Sequence, residues 1–136
     1  MLFPASIPEV VAVAGVDAVD QHASFTNYGP GTDLSAPSVG ILSTYFGGGY
    51  ARWSGTSMAA PFVSGTAALL YGLMLPRAAD KPRQVEDFLL TSAFPLTRSD
   101  PGFALALGAG RIDAAGSVNA FHRAASSLDS DRERRR

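Results

Sequence analysis

The sequence contains no cysteine among its 136 residues. This absence excludes a disulfide framework and thiolate metal sites, although it does not separate the cytosol from the cell exterior. Charged residues are also few, at 17% with a net charge of -1, so the composition does not point to a nucleic-acid partner. With 46% hydrophobic residues, the chain has the length and composition of one globular domain.

The sequence also lacks a long uninterrupted apolar run. The most apolar stretch, residues 58–75, is broken by Pro61, Gly65 and Gly72, so we predict a core helix and no membrane partner. The N-terminal residues MLFPASIPEV have neither the basic region nor the long apolar region of a signal peptide. We therefore expect any export signal to lie upstream of this chain.

The residues that are present predict an α/β fold. Residues 10–16, VVAVAGV, are apolar and rich in β-branched side chains, which is typical of a strand buried on both faces of a parallel sheet. Short strands are predicted at 23–25 and 40–44, within a segment rich in Gly, Pro, Asn and Ser. A turn and a short strand are predicted over 102–113.

Three helices are predicted. The first begins at residue 56 or 57, ends near residue 75 and is apolar on all sides, so we expect it to pack on every face. Amphipathic surface helices are predicted over 81–92 and 113–125. The chain then divides into a domain over 1–125 and a charged tail over 126–136 that we expect to be disordered.

Ser57 stands at the start of the first predicted helix, where a serine can have two roles. As a helix cap, its hydroxyl would accept a hydrogen bond from an early helical amide. As a nucleophile, its developing oxyanion would lie beside the free amides and the positive end of the helix dipole. Gly55 leaves room for a substrate backbone, which favours the second role without excluding the first.

The stretch GTSMAAP, residues 55–61, resembles the nucleophile motif of the subtilisin-like serine peptidases, the subtilases. Further segments resemble the C-terminal part of a subtilase catalytic domain in the family's order and cover residues 3 to about 125. These segments are FPASIPEVVAVAGVD, QHASFTNYG, DLSAPSVGILST, GGGYARWSGTSMAAPFVSGTAALL and GAGRIDAAGSV. The resemblance implies a subtilisin-like three-layer fold with a mainly parallel sheet, of which only the C-terminal portion is present. It also implies a serine endopeptidase that works through an acyl-enzyme in the complete domain.

The resemblance implies that Ser57 is the nucleophile and that its backbone amide forms half of the oxyanion hole. Neighbouring residues are expected to line the leaving-group side of the substrate cleft or to pack against the nucleophile. These substrate-binding residues are Trp53, Ser54, Gly55, Thr56 and Met58.

The family's catalytic Asp and His, and an asparagine of the oxyanion hole, belong to segments that precede residue 1. His22 and His122 are expected to be surface histidines, so neither replaces the missing base. We therefore expect the isolated chain to be inactive, with the missing N-terminal part of the domain and a protein or peptide substrate as its partners. Phe62 replaces a common His and Ser38 a common Gly of the family, and we expect neither change to affect the chemistry.

Some family members bind a cation weakly at backbone positions that match Ala5, Ile7 and Val10, together with a carboxylate that matches Asp33. One carboxylate with several carbonyls is a weak signal, and a turn or capping acid is the better explanation of Asp33. We therefore predict no metal and no cofactor.

Other function classes stay open. The chain could be a triad-less remnant or a non-catalytic interaction module on a subtilase scaffold. A phosphate-binding domain at the helix start fits less well, because no lysine follows the glycines and GGG at 47–49 lacks the spacing of a phosphate loop. By analogy with the family, the protein is expected to be secreted or to lie in the cell envelope.

Overall fold

The computed structural model describes residues 3–74 and 81–134. Strand β1, Val13–Val16, pairs in parallel with β2, Leu34–Pro37. Most of their side chains are buried, as expected for parallel strands covered on both faces. The predicted strand over 10–16 is right in type, but it begins three residues late because residues 4–10 form two turns closed by backbone hydrogen bonds.

Helix α1, Thr56–Leu73, packs across both parallel strands. Its buried residues are Ala59, Val63, Thr66 and Leu70, which recur at the three- and four-residue spacing of a single helix face. The apolar residues of this face form the main core with buried side chains of β2 and of the second helix, and the half-buried Val13 of β1 packs against them. The buried side chains of β1, Ala14 and Val16, belong to a second cluster with Leu96, Ala104 and Leu107. The predicted helix is therefore present, and its packing places its first turn beside the end of β2.

Two sides of α1 differ from the expectation of packing on every face. Phe62, Leu69 and Leu73 lie on one flank of the buried face and Tyr71 on the other, and all four are between 40% and 59% exposed. The sequence is apolar all round, but the described residues bury only the face between these flanks. A groove of about 850 Å³ lies beside this helix, between residues 9–13 and the second helix.

Two further helices pack against α1 and against each other. Helix α2 spans Lys81–Thr91 and α3 spans Ala114–Arg134, so α3 continues into the segment predicted to be a tail. Phe88 and Phe121 meet edge to face across their interface, with ring centroids 5.8 Å apart. None of the described helices is both long enough and apolar enough to cross a membrane.

A two-stranded antiparallel hairpin precedes α1. It consists of β3, Ile41–Tyr45, and β4, Gly49–Trp53, with Ile41 opposite Trp53. The prediction for 40–44 matches β3 to within one residue, whereas β2 and β4 were not predicted. Residues 23–25 form no strand, because the chain turns there and the Thr26 amide donates to the Ala23 carbonyl.

The segment between α2 and α3 folds back over the parallel strands. It contains a short 3-10 helix, Ala104–Ala106, and an isolated bridge at Arg111, where a turn and a strand were predicted. Arg111 bridges to Ser35 of β2 on one side and to Phe94 on the other. This segment therefore extends the parallel layer by one residue pair and not by a full strand.

Candidate active site

The predicted site residues lie together at the junction between β4 and α1. Strand β4 ends at Trp53 and helix α1 begins at Thr56, with Gly55 as its N-terminal cap residue. Gly55 has φ 159° and ψ 158°, a backbone conformation that is essentially restricted to glycine. Glycine therefore allows the chain to pass directly from the hairpin into the helix.

Hydrogen bonds tie this junction to the loop that follows β2. The Gly55 amide donates to the Ser38 carbonyl at 2.9 Å. Gly40 is held twice, because its amide donates to the Ser54 hydroxyl at 2.9 Å and its carbonyl accepts from Nη1 of Arg52 at 2.8 Å. The position of the helix start is thus fixed by the carboxyl end of the parallel strands, which is where α/β folds place their sites.

Ser57 is the second residue of α1, and its side chain is exposed. The cap position belongs to Gly55, and no side chain caps this helix, so Ser57 is not a helix cap. Within the described ranges, its hydroxyl has no hydrogen-bond partner. The first amides of a helix lack intrahelical acceptors and carry the positive end of the dipole, so an anion on the Ser57 oxygen would be stabilised there.

The neighbours of Ser57 differ in exposure. Trp53 is 55% exposed, and its ring stacks on Tyr45 with centroids 6.1 Å apart. Thr56 and Met58 are half-buried, and the Met58 amide donates to the Gly55 carbonyl at 2.9 Å. Trp53 and Tyr45 therefore form an exposed aromatic surface on the hairpin that precedes α1.

The two histidines are placed differently. Nδ1 of His22 lies 2.7 Å from Oδ2 of Asp100, and the ring stacks on Phe103 with centroids 3.8 Å apart. His22 is therefore half-buried in a contact and is not the open surface residue that we expected. His122 is exposed on α3, as expected. In the part of the chain that the structure describes, neither histidine contacts Ser57.

Asp100 has a perturbed ionisation. Burial raises the pKa of its carboxyl, but the hydrogen bonds from the backbone amide and ring of His22, together with the charge of that ring, more than offset it. The pKa of Asp100 is therefore lowered below its ordinary value of 3.8.

Two of the groups considered for a cation, the Asp33 carboxylate and the Ile7 carbonyl, accept hydrogen bonds from the chain. Oδ2 of Asp33 accepts the Ala12 amide at 2.7 Å, and the Ile7 carbonyl accepts the Val10 amide at 3.0 Å. Within residues 3–74 and 81–134, no three His, Asp or Glu side chains converge as metal ligands would.

Sequence reasoning missed the close packing of Gly15 and Ser38 behind the site. Ser38 is fully buried, and a Cβ on Gly15 would lie 2.7 Å from the Ser38 Cβ. A glycine inside an apolar strand can signal a close approach, but the identity of the approaching residue has no local signature.

The Subtilase family model matches residues 1–111 of the chain. The thermophilic serine proteinase of Bacillus sp. (strain AK1) is 57% identical over 67 residues, which are 49% of this chain and 17% of that protein. The thermostable alkaline protease of Halalkalibacterium halodurans is 53% identical over 68 residues, or 50% of this chain and 19% of that protein.

Solved structures give the same result for the fold. The patellamide maturation protease PatA superposes with a TM-score of 0.76 at 36% identity, over 88% of this chain and 45% of that chain. A protease from Pseudoalteromonas arctica gives a TM-score of 0.76 at 32% identity, over 88% and 38% of the two chains. The chain therefore spans less than half the length of these solved relatives, and the predicted α/β subtilisin-like fold, present in part, is confirmed.

Proposed function

Because the chain belongs to the subtilase family of serine peptidases, we propose that it is the nucleophile-bearing part of a serine endopeptidase domain. The observation that carries this proposal is the exposed Ser57 hydroxyl, free of hydrogen bonds within the described ranges, at the start of a helix that begins beside the parallel strands. Its substrate is a protein or peptide. By family analogy, the complete protein acts outside the cytoplasm or in the cell envelope.

In the proposed reaction, Oγ of Ser57 attacks the scissile carbonyl and its proton passes to a histidine supplied by the missing N-terminal part, which an aspartate of that part orients. The histidine then gives this proton to the departing amine as the peptide C–N bond breaks, which leaves the acyl-enzyme. Water hydrolyses the acyl-enzyme and returns the proton to Ser57. The Ser57 amide donates to the oxyanion, while Gly55 and Thr56 adjoin the substrate backbone. Trp53, Ser54 and Met58 surround the leaving-group side and the nucleophile.

The described residues offer no base for Ser57, which supports the proposal that the chain alone is inactive. His22 is held against Asp100 and Phe103, and His122 lies on α3. A serine without a base has almost no nucleophilicity at neutral pH, so only weak residual catalysis from the helix amides is expected.

The proposed partner is the N-terminal part of the domain. Phe62, Leu69 and Leu73 are exposed on one side of α1, and Tyr71 on the other side adjoins a groove lined mainly by apolar side chains. Exposed apolar surface on both sides of the helix favours a binding partner. The solved relatives have more than half of their length outside the matched part, which is enough chain to cover these surfaces.

The test is a fusion protein in which the full 136-residue chain follows the N-terminal part of the Bacillus sp. AK1 proteinase. A fluorophosphonate probe is expected to label Ser57 in the fusion, slowly or not at all in the isolated chain, and in neither once Ser57→Ala is introduced. Peptide cleavage is expected to follow the same pattern. A folded fusion that is not labelled would contradict the proposal and favour the non-catalytic interaction module.

A further inference from the structure

We propose that Ser38 is a positioning residue for the nucleophile and that Gly15 is matched to it. This reverses the expectation from the sequence that a serine in place of the family's common glycine leaves the chemistry unaffected, because the Ser38 hydroxyl is buried and hydrogen-bonded to Val16. Ser38 does not touch the reacting atoms; it acts through Gly55, the residue that begins the turn into α1. This role rests on the proposed function of Ser57, and it goes beyond that function by assigning a part to two buried residues outside the motif.

Ser38 joins both parallel strands to the nucleophile turn. Its amide and its hydroxyl both donate to the carbonyl of Val16, the last residue of β1, at 2.8 and 3.1 Å. Ser38 itself directly follows Pro37, the last residue of β2. Its carbonyl accepts the Gly55 amide at 2.9 Å, so the bonds that fix Ser38 also fix Gly55.

The Ser38 hydroxyl is a fully buried polar group, and burial without a partner would cost free energy. The bond to Val16 satisfies it and restricts the side chain to one orientation. Ser38 is therefore held in one position, hydrogen-bonded to Val16 of β1 on one side and to Gly55 before α1 on the other. A small displacement of Ser38 would shift Gly55 and with it the Ser57 oxygen. Catalysis is sensitive to displacements of about 1 Å.

Gly15 leaves the space that Ser38 occupies. A Cβ on Gly15 would lie 2.7 Å from the Ser38 Cβ and closer still to its Oγ, so the two side chains exclude each other. The backbone of Gly15 cannot move away easily, because its amide donates to the Thr26 hydroxyl at 2.8 Å and its carbonyl accepts the Ala23 amide at 2.9 Å. A side chain at position 15 must therefore displace Ser38.

The test uses the fusion protein and four variants: Gly15→Ala, Ser38→Ala, the double variant Gly15→Ala/Ser38→Gly, and Gly102→Ala as the matched control. A Cβ on Gly102 would meet no atom within 4 Å, so this control reports a harmless glycine replacement. The readouts are the fluorophosphonate labelling rate of Ser57 per folded molecule, kcat and KM on a peptide, and hydrogen exchange of the Gly55 amide.

Gly15→Ala is expected to slow labelling and lower kcat by about tenfold, because it moves the nucleophile, with a smaller rise in KM because Gly55 also adjoins the substrate backbone. Exchange of the Gly55 amide is expected to accelerate by about the same factor. Ser38→Ala, which keeps the volume and loses the bond to Val16, is expected to slow labelling and lower kcat by about threefold. The double variant is expected to recover to the level of Ser38→Ala, because it removes the overlap with the Gly15→Ala side chain but also lacks the Ser38 hydroxyl.

Overturning results are equally specific. If Gly15→Ala and Ser38→Ala lower only the stability, while labelling, kcat and Gly55 exchange match those of Gly102→Ala, Ser38 is a packing residue. If the labelling rate and kcat of the double variant are no higher than those of Gly15→Ala, the sizes of Gly15 and Ser38 are not matched. A parent fusion that is folded but not labelled would contradict the nucleophilic role of Ser57. Hydrogen exchange does not require catalysis, so exchange of the Gly55 amide in the variants would still show whether Ser38 fixes Gly55.

Discussion

Nδ1 of His22 lies 2.7 Å from Oδ2 of Asp100, although 78 residues separate them in the sequence. The same carboxylate oxygen accepts the backbone amide of His22 at 2.8 Å. The ring of His22 packs on Phe103, which in turn meets Tyr28 edge to face. This contact ties the loop after β1 to the segment before α3.

The lowered pKa of Asp100 predicts a loss of stability in acid. A carboxyl whose pKa is lower in the folded state stabilises the fold above its unfolded pKa, near 3.8, and this contribution disappears as the pH falls through the folded value. Urea denaturation of the fusion at a series of pH values should show that Asp100→Asn removes stability above pH 4 and makes little difference in stronger acid. The exposed Asp87→Asn is the matched control, and parallel curves for Asp100→Asn and the parent would contradict the prediction.

Replacement of Ser57 by alanine is expected to abolish labelling and leave the unfolding free energy within about 0.5 kcal/mol of the parent, because its hydroxyl caps nothing. A helix cap would instead cost about 1 kcal/mol. Ser117→Ala is the contrasting variant, since this buried hydroxyl donates to the Asp113 carbonyl and lies 2.8 Å from Oγ of Ser92. Ser117→Ala is expected to lower the free energy of unfolding by about 1–2 kcal/mol, measured by urea denaturation. An equal decrease for Ser57→Ala would contradict the conclusion that the Ser57 hydroxyl has no hydrogen-bond partner.

Gly108→Ala is expected to destabilise the fold by at least about 2 kcal/mol. Gly108 has φ +78°, and a Cβ there would lie 2.7 Å from the Leu34 amide nitrogen and closer to the Asp33 carbonyl. The substitution would push the segment before α3 away from β2. Denaturation of Gly108→Ala beside Gly102→Ala measures the difference, and similar midpoints for the two variants would refute the steric argument.

Leu69→Gln is expected to increase the solubility of the isolated chain and to weaken its binding to the separately produced N-terminal part by about tenfold or more, because burial of a leucine is worth about 1.5–3 kcal/mol. Leu69 is 59% exposed on the outer face of α1. Leu105→Gln is the control, since Leu105 is 99% exposed in the 3-10 helix, outside α1. Light scattering and a binding titration measure the two effects, and equal weakening by both variants would exclude α1 as the interface.

Local patterns predicted the helices well. The apolar run after Ser57 and the amphipathic run of α2 each specify a helix through nearest neighbours along the chain, and both predictions lie within two residues of the observed starts. Strand β4 escaped prediction because both faces of its hairpin are exposed, so Tyr50 and Trp53 give no alternation of buried and exposed residues. The exposure of apolar side chains on α1 was also not predicted, because an apolar side chain does not reveal whether a neighbour is present to cover it.

The sequence by itself determined the family, the start of α1 and the candidate nucleophile, because the stretch around Ser57 carries this information within a few adjacent residues. Only the tertiary structure decided that His22 pairs with Asp100, and that Gly15 leaves room for Ser38 behind Gly55. These relationships join residues that lie from 17 to 78 positions apart. The local sequence does not identify which distant residue each partner meets, and the contact exists only once β1, β2 and the later segments have packed together.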